Sequence, residues 1–383
     1  MLQYKQEVWA LFRTNDNVNL FFQIVSLALA IVIIVLGGAY AAWNWYFGRI
    51  SDPYEPSEAV SIDDQTIREN PAPAQDVPAD EEPADAPVST PSALEILQKN
   101  ILAWRENGSP VRDDNVLNIL LIGMDLDSPD MTKNSRADAM MIVSLDRANR
   151  RMTLASVMRD QYCYIPKTGK FEKLHHANAY GGPGAQIAVI EQYYKVGIDN
   201  YAVVNFYSLP KIIDALGGIT VDITPQEAEF LNSTCGFNVE PGENHLPGQE
   251  ILVYMRIRRG NTGGDEGRVM RQQQVFKQIL ARLRTVEKTA LPALIDQLMP
   301  YVRTGYTPAA LLSLAGEALT NDWFGFDIQQ VSLPDHECAD EATINGVWYW
   351  KVDFPPAARK LQTALYGRTN IELEDDRESW LTQ

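Results

Sequence analysis

The sequence predicts an α/β fold, a mixed β-sheet covered by helices on both sides and preceded by one transmembrane helix and a disordered linker. Three observations predict it. Short β-rich apolar runs alternate with segments of helical period from Asn118 onward. No charged residue interrupts Asn17 to Gly48, and Leu20–Phe47 is dominated by Leu, Ile, Val, Ala and aromatics, longer than the roughly 20 residues that cross a bilayer core. Residues 51–91 hold eleven acids, one base and eight prolines, with too few large apolar side chains to form a core.

These observations set the organisation: residues 1–18 as a short cytoplasmic N-terminus, 19–48 as the transmembrane helix, 49–91 as the acidic Pro-rich linker, 92–288 as the main α/β domain and 289–383 as a C-terminal α/β extension or small satellite domain. Trp43, Trp45, Tyr46 and Phe47 continue the apolar run as an interfacial belt, so the span reads as an uncleaved anchor rather than a signal peptide. Lys5 and Arg13 precede it, while Arg49 is soon followed by Asp52, Glu55 and Glu58. The positive-inside bias then puts the outer part beyond the cell membrane on a single-pass anchor. The net charge is −17, most of it in the linker, and a chain without a basic face is not built for nucleic acid. Cys163, Cys235 and Cys338 permit at most one internal bridge, and the four histidines are too scattered for a zinc pattern.

In the outer part, Ser92–Trp104 has helical spacing behind a Ser cap. Asn118–Gly123, Ala139–Leu145, Met152–Val157, Ala202–Phe206, Ile219–Ile223 and Ile251–Ile257 read as strands. Gln186–Lys195, Leu209–Leu216, Gln226–Leu231 and the long amphipathic Glu266–Glu287 read as helices. Further helical signals lie at Leu291–Tyr301, Pro308–Leu319 and Pro355–Tyr366, with a strand pair expected around Gln329–Leu333 and Gly346–Val352.

Charges interrupt this apolar pattern at strand ends. Asp125 follows one strand, Arg136 and Asp138 precede the next, and Arg159 and Asp160 follow a third. Strand ends are where ligands collect in α/β sheets. A second group is Arg256 and Arg258, two apart and hence on one face of an expected strand, with Arg268, Arg271 and Gln272 on the first turns of the long helix. The Gly-rich 260–267 loop joins them. A salt-bridged surface would also use such charges. Carboxylates beside arginines suit a pyrophosphate, because Mg²⁺ takes a few hard oxygens plus phosphate while guanidinium forks hold phosphate oxygens. No P-loop, GxSxG elbow or HExxH occurs.

At these residues the sequence resembles the LytR-CpsA-Psr family of cell-wall enzymes. The resemblance runs through Asn118–Asp125, Arg136-Ala-Asp138, Met158-Arg159-Asp160, Lys173–Gly182, Val204-Asn-Phe206, Asp214–Gly218, Tyr254–Arg258 and Arg268–Gln273. It departs from the family pattern at Met158, His175 and Ala137, none of which removes a charge. The resemblance implies an α/β/α domain that moves a glycopolymer from a polyprenyl-pyrophosphate carrier to peptidoglycan through a phosphodiester. It implies Mg²⁺ on Asp125 and Asp138, with Arg136, Arg159, Arg256, Arg258, Arg268 and Gln272 around the pyrophosphate and Lys173 and Arg271 as supporting positives. Asp160 would orient Arg159 or act as base. Ile187, Val189, Ile190, Ile212 and Ile213 would wall an apolar lipid tunnel, although each also reads as plain core. The alternatives are a non-catalytic envelope protein that binds anionic lipid-linked glycan, and a hydrolase of the same pyrophosphate.

Overall fold

A computed structural model describes residues 92–258, 262–287, 290–374 and 377–382. The expected anchor at 19–48 and linker at 49–91 lie outside the described residues, among which no helix is long and apolar enough to cross a membrane. The frame is a six-stranded mixed sheet in the order β10-β3-β2-β1-β6-β9. Its central strands are β1 (Val116–Met124), β2 (Ala137–Asp146) and β3 (Arg151–Val157), joined as an antiparallel meander. To one side β6 (Asn200–Asn205) runs parallel to β1 and pairs antiparallel with the two-residue β9 (Arg303–Thr304). To the other, β10 (Asp327–Leu333) runs parallel to β3.

Strand alternation divides the sheet between two cores. Leu120, Ile122, Met140, Ile142, Ala155 and Val157 pack under three helices: α1 (Ala93–Glu106), α2 (His176–Tyr194) and α9 (Phe354–Tyr366). Ser92 opens α1 through a capping box with Glu95. On the other face Met141, Val143, Leu145, Met152 and Leu154 meet Leu280 of α6 (Gly264–Thr285), Ala318 of α8 (Pro308–Thr320) and Trp323 and Phe326 of the following turn. A third cluster joins α3 (Ser208–Ala215), β7 (Ile219–Ile223), α4 (Pro225–Cys235), β8 (Gly242–Leu246), α5 (Gly248–Arg256) and Val275 of α6. The short hairpin of β4 (Tyr162–Ile165) and β5 (Lys170–Lys173) follows β3, and α7 (Leu291–Leu298) precedes β9.

Two expectations are corrected. Ile251–Ile257 is not a strand: it lies in α5, with Ile251, Leu252 and Tyr254 buried and Arg256 in the last turn, where a cation suits the helix dipole. The 329–333 and 346–352 segments do not pair with each other. β10 completes the main sheet beside β3, whereas β12 (Val347–Val352) forms a hairpin with β11 (Ala339–Ile344). Residues 303–366 are therefore built onto the same sheet and core. The three cysteines are free thiols, Cys163 and Cys338 buried and Cys235 exposed.

The approach of α5 to α3 has no slack. A Cβ on Gly248 would lie 2.0 Å from the carbonyl oxygen of Pro210, which is backbone and cannot swing aside. We expect Gly248→Ala to lower unfolding free energy by about 1–3 kcal/mol by forcing these helices apart, measured by urea denaturation against an exposed control such as Gly316→Ala, where no atom lies within 4 Å of the added Cβ.

Candidate active site

The site forms where the C-terminal ends of β1 and β3 flank the N-terminal end of β2. Asp125 follows β1, and its N–H donates to the carbonyl of Arg136 at 3.0 Å. Pairing of β1 with β2 slips between Gly123 and Met124: Gly123 faces Ala139 and Met124 faces Ala137, leaving Asp138 as the extra residue of a bulge. Bulges re-aim side chains, and this one puts the Asp138 carboxylate in the wall of a cavity with Asp125, Arg136 and Arg159.

That cavity has a volume of about 880 Å³ and lies between the sheet and helices α3, α5 and α6. Its body is hydrocarbon, including Leu121, Val204, Leu209, Ile212, Phe230 and Phe276. Its polar end brings together five arginines (Arg136, Arg159, Arg256, Arg258 and Arg268) with Asp125, Asp138 and Gln272. Five cations against two carboxylates leave an excess of three positive charges, which calls for a multiply charged anion. The arginines differ in depth: Arg268 is 4% exposed and Arg159 is mostly buried, whereas Arg136, Arg256 and Arg258 are exposed at the mouth.

Ion pairs order these groups. Arg136 Nη2 meets Asp125 Oδ2 at 2.5 Å, and Arg159 Nη1 pairs with Asp138. The Arg159 Nε also donates to Asp160 Oδ2 at 3.0 Å, while Lys173 Nζ donates to Asp160 Oδ1 at 2.7 Å. Burial alone would raise the Asp160 carboxyl, but the Lys173 hydrogen bond and the Arg159 and Lys173 charges outweigh it and hold it below the usual carboxylate range. With both oxygens engaged by cations, Asp160 is a poor proton acceptor and suits the task of orienting Arg159. Arg256 lies over the ring of Phe206 at 4.0 Å, a partner that the sequence reading did not assign.

The site departs from the expected set in three places. Arg271 does not reach the cavity: it is 3% exposed and donates to Glu227 at 2.8 Å, to the Thr262 carbonyl at 3.0 Å and to the Ile257 carbonyl at 2.5 Å. It thereby holds the carbonyls of Ile257, just before Arg258, and of Thr262, just before α6. Lys173 stands behind Asp160, outside the cavity lining. Ile187, Val189 and Ile190 belong to the core under α2, on the opposite sheet face, and Ile213 is buried in the third cluster, so only Ile212 of the five expected wall residues lines the cavity. An apolar residue on a helix has no mark that separates cavity wall from core.

The donor set fits Mg²⁺. Two carboxylates from adjacent strand ends, Asp125 and Asp138, face one cavity, each also paired with an arginine. An ion that takes one or two carboxylates and completes its shell with water and phosphate suits such a set.

The profile of the LytR_cpsA_psr family matches residues 87–365. The chain belongs to that family. It is similar over 272 residues, at 29% identity, to the polyisoprenyl-teichoic acid–peptidoglycan teichoic acid transferase TagU of Bacillus anthracis, a match covering 70% of this chain and 82% of TagU. Its fold is that of TagT bound to LIIa-WTA (TM-score 0.55, 20% identity, 68% of this chain and 97% of TagT) and of Bacillus subtilis TagV (TM-score 0.53, 24% identity, 67% of this chain and all of TagV).

The Arg271 clamp makes a specific demand on stability. Arg271→Ala strands the buried Glu227 carboxylate, and we expect a loss of about 3–5 kcal/mol in denaturant unfolding, much of it recovered in the double variant Arg271→Met/Glu227→Leu, which removes both charges.

Proposed function

We propose that the chain is a phosphotransferase of cell-wall assembly, moving a glycopolymer from a polyprenyl-pyrophosphate carrier to peptidoglycan through a phosphodiester. The observation that carries this reading is a single cavity, hydrocarbon along its body and arginine-rich at its end. That is the polarity of a prenyl chain joined to a pyrophosphate. The TagU relatives, by their name, join polyisoprenyl-linked teichoic acid to peptidoglycan, and we extend that chemistry to this chain without fixing which glycopolymer it carries.

In this account the lipid lies against Leu121, Val204, Ile212 and Phe276, which sets the depth of the pyrophosphate. Arg159 and Arg268, the buried pair, grip the phosphate oxygens nearest the lipid, and Arg136, Arg256 and Arg258 receive the glycan-bearing phosphate at the open mouth. The acceptor hydroxyl of peptidoglycan attacks that outer phosphorus. A new P–O bond forms, the P–O–P anhydride breaks, the hydroxyl proton is released, and the prenyl monophosphate leaves with its charge held by Arg159 and Arg268. Asp160 and Lys173 keep Arg159 aimed. Asp125 and Asp138 would hold Mg²⁺, which when bound neutralises charge on the phosphate oxygens. We place the domain outside the cell on the expected single-pass anchor, in the same bilayer as the lipid carrier, where confinement raises its effective concentration.

The test uses the full chain in detergent with a polyprenyl-pyrophosphate oligosaccharide, Mg²⁺ and peptidoglycan oligomers, and follows glycan joined to wall by mass spectrometry. Asp138→Ala and Arg268→Ala should each lower kcat/KM by about 100-fold or more and exposed Arg256→Ala by about 10-fold. Tight lipid binding without product would favour an envelope binder, and free glycan phosphate despite abundant acceptor would favour a hydrolase.

A further inference from the structure

Beneath the site, one turn of chain ties together the strand-end segments that present Asp125, Arg136, Asp138 and Arg159 to the cavity. It is the start of α2, from His175 to Asn178, and two of its polar side chains are buried: His175 is 3% exposed and Asn178 is 0% exposed. Neither lines the cavity. The Arg159 carbonyl accepts from the His175 ring at Nδ1 (2.9 Å) and from the His175 main-chain N–H (3.2 Å). The His175 carbonyl in turn accepts from Ala137 N–H at 3.3 Å, next to Asp138 in the bulge. One residue thus ties the backbone carrying Arg159 to the backbone carrying Asp138, the two partners of the central ion pair. Asn178 extends the tie: its Nδ2 donates to the Ser135 carbonyl at 2.6 Å, and Ser135 Oγ donates to the Asp125 carbonyl at 2.7 Å.

We infer that His175 is a positioning residue of the pyrophosphate site, its buried imidazole donating to the Arg159 carbonyl so that the Arg159 guanidinium stands at a fixed distance from Asp138. This rests on the reading of the cavity as a pyrophosphate site. A carbonyl can only accept, so the bond requires the proton on Nδ1. Burial pushes the ring pKa down to about 4, which keeps it neutral, so it adds no charge to compete with the cavity arginines for the anion. The Asp160 carboxylate lies 3.9 Å from Nδ1 and the His176 ring is 4.6 Å from that of His175, centre to centre. Removing the ring leaves the main-chain bonds of residue 175 in place and takes away one of the two donors on the Arg159 carbonyl. The segment can then rotate while the fold persists.

The probe is geranylgeranyl pyrophosphate, titrated in the presence of Mg²⁺ against the full chain in detergent, with thermal unfolding recorded for each variant. His175→Leu should weaken binding about 10-fold, the scale on which lost outer-shell partners act. His175→Asn should stay within about threefold of the parent, since an amide N–H₂ can supply the missing donor. The effect must act through Arg159, so in an Arg159→Ala background His175→Leu should change affinity by less than about twofold. Binding by the parent with an unchanged His175→Leu overturns the positioning role. So does a loss in His175→Leu that adds in full to that of Arg159→Ala, or one that His175→Asn does not restore. If His175→Leu fails to fold, the comparison of His175→Asn with His175→Ser decides, because Ser is too short to reach the carbonyl and should bind as poorly as expected for Leu. A parent chain that does not bind the probe at all removes the pyrophosphate reading itself, and this inference with it.

Discussion

Five guanidinium groups at one end of a cavity walled by hydrocarbon must be kept apart, aimed and partly neutralised before any ligand arrives. The structure meets that constraint with carboxylates that hold the arginines while leaving the net charge positive: Asp125 on Arg136, Asp138 and Asp160 on Arg159. The positions of these carboxylates follow from the sheet. Asp125 ends β1, Asp138 occupies the bulge opposite it, and Asp160 follows β3, so one end of three adjacent strands supplies the whole acidic half of the site. Of the basic groups, Arg136 and Arg159 come from the same strand ends, while Arg256 ends α5, Arg258 follows it and Arg268 lies on α6, and these two helices pack over the same sheet face and enclose the apolar body of the cavity. Catalysis of this kind is positioning plus electrostatics, and here both are products of strand register and helix packing.

Further out, groups that never face the cavity hold those that do. Lys173 fixes Asp160, which fixes Arg159. Arg271 clamps the carbonyls of Ile257 and Thr262, while Phe206 lies beneath Arg256. Asn205 donates to the Ser128 carbonyl and so ties the end of β6 to the loop between Asp125 and Arg136. A site open to solvent at its mouth can stay ordered because Asp160, Asn205 and Arg271 are buried and Lys173 and Phe206 are half-buried.

Much of this was legible in the sequence, and the misses have physical reasons. The central strands show themselves through short apolar runs ended by charge, and the charges at their ends mark the site. Ile251–Ile257 was misassigned because seven apolar-rich residues do not separate a strand from two helical turns by periodicity; the buried set Ile251, Leu252 and Tyr254 shows the helix once the packing is known. Arg271 was placed on the wrong face because positions i+3 and i+4 lie on either side of Arg268. Gln272 turns to the cavity, and buried Glu227 draws Arg271 the other way. Ile187, Val189 and Ile190 could not be sorted between core and cavity without knowing which sheet face α2 covers. The roles of Asn178 and Ser135 depend on carbonyls 43 and 10 residues away in the chain, which no local pattern announces.

The account stands on the claim that a pyrophosphate takes its place among these arginines with its lipid along the hydrocarbon wall. The most direct measurement is an experimental structure of the full chain with a non-transferable prenyl pyrophosphate bound in the presence of Mg²⁺. The account predicts phosphate oxygens within hydrogen-bond distance of Arg159 and Arg268, the prenyl chain against Ile212 and Phe276, and the ion between Asp125, Asp138 and phosphate. Pyrophosphate bound away from Arg159 and Arg268, or a prenyl chain lying outside this cavity, would contradict it.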